Sequence, residues 1–172
     1  MKKTIICFVL FGSLAAMAQN AEMAKYKALF VTNFIRYIGW PDDVKVGDFI
    51  IGVVNEPAVA DNLKAQTADK KFGFQSIVIK EFKSVDDISP CQMLYFSDKQ
   101  SFSKNAPIIM AKLNNSKSLK ITETEGATKE GSMINFVVSD GKLKFEISTA
   151  NADKHGLKLS NSLTSLSNAI IK

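Results

Sequence analysis

DFIIGVVNEP, residues 48–57, decides the fold. The run from Asp48 to Val54 is rich in β-branched residues, too short for a buried helix and bounded by turn residues, the pattern of a strand buried on both faces. Asn55 and Glu56 supply a tight turn. Pro57 suits the first position of a helix, where its missing N–H leaves no bond unmade. That helix runs through Val59 and Leu63 toward Lys70. Strand, turn and helix in this order open a parallel unit.

Working downstream, FQSIVIKEF (74–82) reads as the second strand, QMLYFS (92–97) as the third, Ile108–Leu113 as a short helix and SLKITET (118–124) as the fourth strand. The C-terminal third changes character. In MINFVVSDGKLKFEIS two runs flank Asp140-Gly141, and Leu143, Phe145 and Ile147 alternate with Lys142, Lys144 and Glu146, which predicts an antiparallel hairpin. A short helix containing Ala150–Lys154, a stop at Gly156, a brief LKLS and a closing helix with Leu163, Leu166 and Ile170 on one face complete the chain. With no repeat, linker or low-complexity segment, the expectation is one α/β domain over residues 19–172: a mainly parallel sheet, flanking helices and a C-terminal antiparallel hairpin.

Upstream of the deciding strand, Tyr26, Leu29, Phe30, Phe34 and Tyr37 recur at three- and four-residue steps, predicting an amphipathic helix from Glu22 to Ile38. It ends in NFIRYIGWP (33–41), which holds the chain's only arginine, Arg36, and its only tryptophan, Trp40. Gly39 suits a left-handed helix terminus, and Pro41 cannot continue a helix. Trp40, held extended before a proline, is expected to cover one edge of the core. Asn33 is expected within the apolar stripe and Arg36 at its border. Each has a structural role open to it, a buried amide bonded to backbone or a solvated cation at the helix end. The other role is binding, and Asn33, Arg36 and Trp40 are the candidates for contacting a partner or ligand.

MKKTIICFVLFGSLAAMAQN has two lysines, an apolar run and a small-x-small ending at Ala16-Met17-Ala18, so residues 1–18 read as a cleaved secretory signal and the mature chain as an exported, periplasmic domain. Loss of Lys2 and Lys3 leaves 20 basic against 17 acidic side chains, a weak and scattered excess that does not support nucleic-acid binding. Of two cysteines only Cys91 remains, which excludes an internal disulfide. Cys91 is either an apolar filler or a redox handle that pairs between molecules.

No catalytic motif is complete, and although any two of the 17 acidic residues could meet in space as a carboxylate pair, none stands in a recognisable context. Gly126 and Gly131 have the spacing of a phosphate loop, but Ser132 stands where its lysine must be. His155 is the single histidine, so no closed nitrogen and sulfur zinc site forms within one chain, and no nucleophile elbow is present. The expectation is no catalysis, no cofactor and no metal. A small-molecule pocket at the carboxyl ends of the strands, near Asn55 and Ser97, is the alternative use of such a sheet.

The order NF-x-x-x-x-x-WP, FIIGVV, CQMLYFS, EGSMINF, FEIS and HGLKLSNSLTSLS, from about Lys27 to Ile170, resembles the YfiR-like family of periplasmic proteins. Phe34, Trp40, Pro41, Cys91, Gly131, Ile134, Gly156, Leu157 and Ser160 match its motifs; Ser148 departs, standing where the family often has asparagine. The resemblance implies an exported α/β domain without enzymatic activity, often dimeric. Its implied partner is an inner-membrane signalling protein, a diguanylate cyclase or sensor kinase, held through its periplasmic portion so that cyclic-di-GMP signalling falls.

Overall fold

The structure is a computed structural model that describes residues 5–113 and 117–171, those of 5–18 by backbone alone. The segment read as a leader, residues 1–18, thus lies outside the residues whose side chains are described. The helix predicted from Glu22 begins earlier: α1 spans Ile5–Tyr37, since no proline separates the apolar run from the amphipathic one. Among the described residues, no helix is long and apolar enough to cross a membrane.

The deciding stretch folds as read. Phe49–Val54 is β2, following the two-residue β1 (Ile38–Gly39), and Pro57–Thr67 is α2 with the proline in its first turn. Gly52 interrupts the β-branched run because a Cβ there would lie 2.5 Å from Phe82 and 3.3 Å from the Cys91 sulfur. A two-residue strand, β3 (Lys71–Phe72), then turns at Gly73 into β4 (Gln75–Phe82). Next come β5 (Met93–Phe96), α3 (Phe102–Lys112), β6 (Leu119–Thr122), β7 (Ile134–Ser139) and β8 (Lys142–Ile147). The helix α3 starts six residues before the expected Ile108. Ser101 caps it by accepting the Lys104 N–H, and Pro107 is tolerated inside it.

The sheet order is β10-β8-β7-β6-β5-β2-β4-β3. Its five parallel strands, β4-β2-β5-β6-β7, stand in the order 2-1-3-4-5 by position in the chain, a doubly wound sheet. The hairpin β7–β8 is antiparallel, and Asp140 and Gly141 at its turn have φ of 54° and 70°, as a two-residue turn matched to strand twist requires. One core lies between the sheet and α1 and α2, around Phe34, Phe49, Tyr95 and Phe136. A second lies beneath α3, around Phe82, Leu94, Phe96 and Phe102.

The C-terminus corrects an expectation. After α4 (Thr149–Lys154) and β9 (Lys158–Leu159), the closing helix α5 covers only Asn161–Leu166, and Ile170 belongs to β10 (Ala169–Ile170), parallel to β8. The open edge of β8 competes for this backbone: the Phe145 and Ile147 carbonyls accept the Asn168 and Ile171 N–H groups, both at 2.7 Å. Gly39 is corrected too. It pairs with Lys158 in the β1–β9 ladder and is not left-handed; a Cβ on it would stand 3.2 Å from that of Lys158.

Candidate functional site

The helix α1 buries most of the stripe read from the sequence: Phe34 lies in the core, and Phe30 and Tyr37 pack against it. Ala24, Ala28, Val31, Phe34, Ile35 and Ile38 face the core, and the alanines let the helix backbone approach α2 closely. Tyr26 and Leu29, expected inside, are 45% and 49% exposed. Asn33, expected within the apolar stripe, is exposed as well, one residue and so about 100° around the helix from the buried Phe34. Glu22, Tyr26, Leu29, Asn33 and Arg36 therefore share one outer face, at alternating steps of four and three residues, the spacing with which a helix meets a second helix.

Where that face nears the amino ends of β2 and β4 it borders a groove of about 160 Å³. Leu29, Phe72 and Ile77 give it an apolar lining, and Arg36, Lys70 and Lys71 surround it with positive charge. Among the described residues none of these three cations makes an ion pair, whereas Lys45, Lys64, Lys99, Lys117 and Lys144 do. The Gln66 amide donates to the Lys25 carbonyl at 3.3 Å, tying α2 to α1 beside the groove.

Trp40 supports this end from within. Its indole N–H donates to the Ile35 carbonyl at 3.0 Å, closing the helix terminus, and its ring meets Phe49 edge-on at 5.0 Å. Phe49 meets Phe72 in the same way at 5.3 Å, so the chain of rings ends in the groove lining. Trp40 is thus a core residue; Asn33 and Arg36 are the accessible members of the cluster.

Cys91 lies in the core beneath α3, its sulfur 4.0 Å from the Ser118 hydroxyl. Burial pushes the thiol up to about 11, so little reactive thiolate forms near neutrality. This placement fits the apolar filler. On the adjacent strand Lys120 is 1% exposed, with only the Ser118 carbonyl at 3.5 Å as acceptor, and burial pushes it down to about 8.

The carboxyl end is built differently. Ser97 is buried, its hydroxyl directed at the Val54 carbonyl at 3.5 Å, and the neighbouring Asn55 lines a cleft with Phe82 and Lys83. The expected pair does not converge on one pocket. Instead Glu56 and Lys99 form an ion pair at 2.9 Å across the switch point between β2 and β5, beside a cleft of about 490 Å³. A neighbouring cleft of about 530 Å³ lies where β7 outruns β6, with Phe136 and Val138 on one wall and Asp98, Glu123 and Glu125 opposite. Lys27 of α1 borders both clefts and pairs with Glu123. Sequence reading missed this pair, whose members are 96 residues apart and carry no local signal.

A family model described as YfiR/HmsC-like matches residues 24–168. The chain belongs to the YfiR/HmsC-like family. Comparison with curated proteins gives no match. Among solved structures, a conserved domain protein from Vibrio cholerae O1 biovar eltor superposes with a TM-score of 0.59 at 10% identity, over 86% of this chain and 60% of that one. That likeness shows a shared fold, and this chain spans only part of the other's length.

The structure also gives reasons for the residues that match family motifs. Leu157 is buried, and the Ser160 N–H bonds the Tyr37 carbonyl at 2.9 Å, so the last motif is locked to the end of α1 through the β1–β9 ladder. Gly131 has φ of 99° and Gly156 of 69°. Ser148, the departure from the family pattern, caps α4 by accepting the Asn151 N–H at 3.3 Å, a role asparagine fills equally well.

Proposed function

We propose that the chain is a periplasmic regulatory module that acts by docking and not by turnover, restraining an inner-membrane signalling protein through that protein's periplasmic portion. The observation that carries this reading is the outer face of α1. Tyr26, Leu29, Asn33 and Arg36 lie at helix-pairing spacing, open to solvent, and run into a groove whose three cations have no partner among the described residues. A protein segment that presents an apolar side chain to Leu29 and Phe72 and a carboxylate to Arg36, Lys70 and Lys71 satisfies all of them. Exposed arginine next to an apolar lining is the composition of interface hot spots. Family membership and the leader-like first 18 residues support the envelope setting and a diguanylate cyclase as the restrained protein.

The test is charge reversal at the groove, Arg36→Glu with Lys71→Glu, in cells that carry the chain at its native level. Intracellular cyclic-di-GMP is expected to rise as far as it does when the chain is deleted, while the purified variant keeps its melting temperature. Unchanged cyclic-di-GMP in both the deletion and the variant would retire the reading. A variant found only as a monomer where the parent is a dimer, with signalling intact, would assign the face to a second copy of the chain instead.

A further inference from the structure

We infer that the cleft between β6 and the projecting β7–β8 hairpin is a binding site for a small organic cation, a primary ammonium carried on an apolar chain. This goes beyond the docking role and uses the opposite end of the sheet. Three observations combine. First, Glu123 is among the residues lining the cleft, and its side chain is only 7% exposed. One oxygen is held by Lys27, while Oε1 has no hydrogen-bond partner, and the Thr124 hydroxyl beside it in sequence is also buried and unpartnered. A buried carboxylate oxygen without a donor is costly, and an N–H from a ligand removes that cost.

Second, the cleft is anionic. Asp98, Glu125 and Glu146 join Glu123 in lining it, against Lys27 alone. This selects a cation over an anion. Among the described residues, no three His, Cys, Asp or Glu side chains lie close enough to hold a metal ion, so the geometry suits an ammonium, which needs one or two acceptors, better than a divalent cation, which takes six or more oxygen ligands. Third, the opposite wall is apolar. Phe136, Val138 and Leu143 come from the part of the hairpin that extends past the end of β6, and a volume of about 530 Å³ lies within the range of small-molecule sites. The ammonium goes to Glu123 and the carbon chain lies along the hairpin.

Titration of the purified full chain with hexylammonium, hexanoate and hexanol, followed by amide chemical shifts, tests the assignment. Hexylammonium is expected to bind with shifts confined to residues 23–27, 123–125 and 136–143, and hexanoate and hexanol more weakly by about tenfold or more. Glu123→Gln is expected to weaken hexylammonium by about the same factor. Because that substitution touches a buried ion pair, the exposed Glu125→Gln is the companion variant, with a smaller loss of affinity and an unchanged fold. Arg36→Ala is expected to leave binding unaltered, which separates this site from the docking face. Equal binding of hexanoate, undiminished binding by both glutamine variants, or shifts centred on the α1 groove would overturn the inference.

Discussion

The groove at the amino end of the parallel sheet and the clefts at its carboxyl end carry charge in opposite ways. At the amino end Arg36, Lys70 and Lys71 are exposed and unpaired among the described residues, and stability comes from packing, through the rings of Trp40, Phe49 and Phe72. At the carboxyl end the charges belong to the structure: Lys27 with Glu123 and Glu56 with Lys99 tie α1, the β2–α2 turn and the ends of β5 and β6 together. Unpaired cations contribute little to folding and remain available to a partner. Paired, desolvated charges cannot be removed singly without cost. A docking function suits the three cations of the groove, which stand apart from the Asp42–Lys45 and Asp43–Lys117 pairs of the same end.

The largest expected effect breaks the amino end from within. Trp40→Ala removes a buried ring and the hydrogen bond to the Ile35 carbonyl, and chemical denaturation should show a loss of about 3 to 5 kcal/mol. Lys27→Met comes next, at about 3 kcal/mol, because it strands the Glu123 carboxylate with neither oxygen paired. The double variant Lys27→Met with Glu123→Leu should recover most of that loss in the same assay. If the single and double variants cost the same, the pair is not what holds the carboxyl end.

Between the two ends sits Lys120, a charge belonging to neither. Its folded-state value lies near 8 and its ordinary value near 10.5. Across that window the unfolded chain still binds a proton that the folded chain has released, so stability rises with pH from about 8 to 10.5. Lys120→Met should therefore stabilise the protein at pH 7 by about 2 kcal/mol and abolish that rise. Cys91 acts with the opposite sign: the folded form keeps its proton from 9.0 up to about 11, so stability falls with pH there, and this fall should stand alone in the variant. Denaturation midpoints at closely spaced pH values check both slopes. The smallest effect on folding is at the docking face, where Arg36→Ala should change stability by less than about 0.5 kcal/mol.

Much of this architecture can be read from local chemistry. β-branched runs mark the parallel strands, Pro57 marks the start of α2, and Asp140-Gly141 marks the hairpin, because each of these signals is satisfied by residues close in the chain. The misreadings share the opposite cause. Tyr26 and Leu29 widened the expected stripe of α1 too far to one side, since alanines at 24 and 28, weak in hydrophobicity, carry the buried face toward α2. Ile170 left its expected helix for an open strand edge that only the tertiary fold creates. The helix α3 runs through Pro107 because the Ser101 cap and the burial of Phe102, Ala106 and Ile109 together outweigh one missing hydrogen bond.

The site was legible in part for the same reason. Asn33 and Arg36 could be named from their rarity and position, but not the groove, to which Lys70, Lys71 and Phe72 come from beyond the next helix. The carboxyl end was expected from the general behaviour of such sheets. Its actual lining depends on how far β7 outruns β6 and on a helix laid across both clefts, neither of which has a sequence signal.

The most direct test of the central claim is photocrosslinking in the native cell envelope, with the crosslinking amino acid placed at Leu29 on the outer face of α1 and, in parallel, at Val138 on the carboxyl-end hairpin. The account expects the probe at Leu29 to capture an inner-membrane protein and to lose it when Arg36 and Lys71 are reversed in charge, with no such product from Val138. Capture of that protein from Val138 alone, or from neither position, would contradict it.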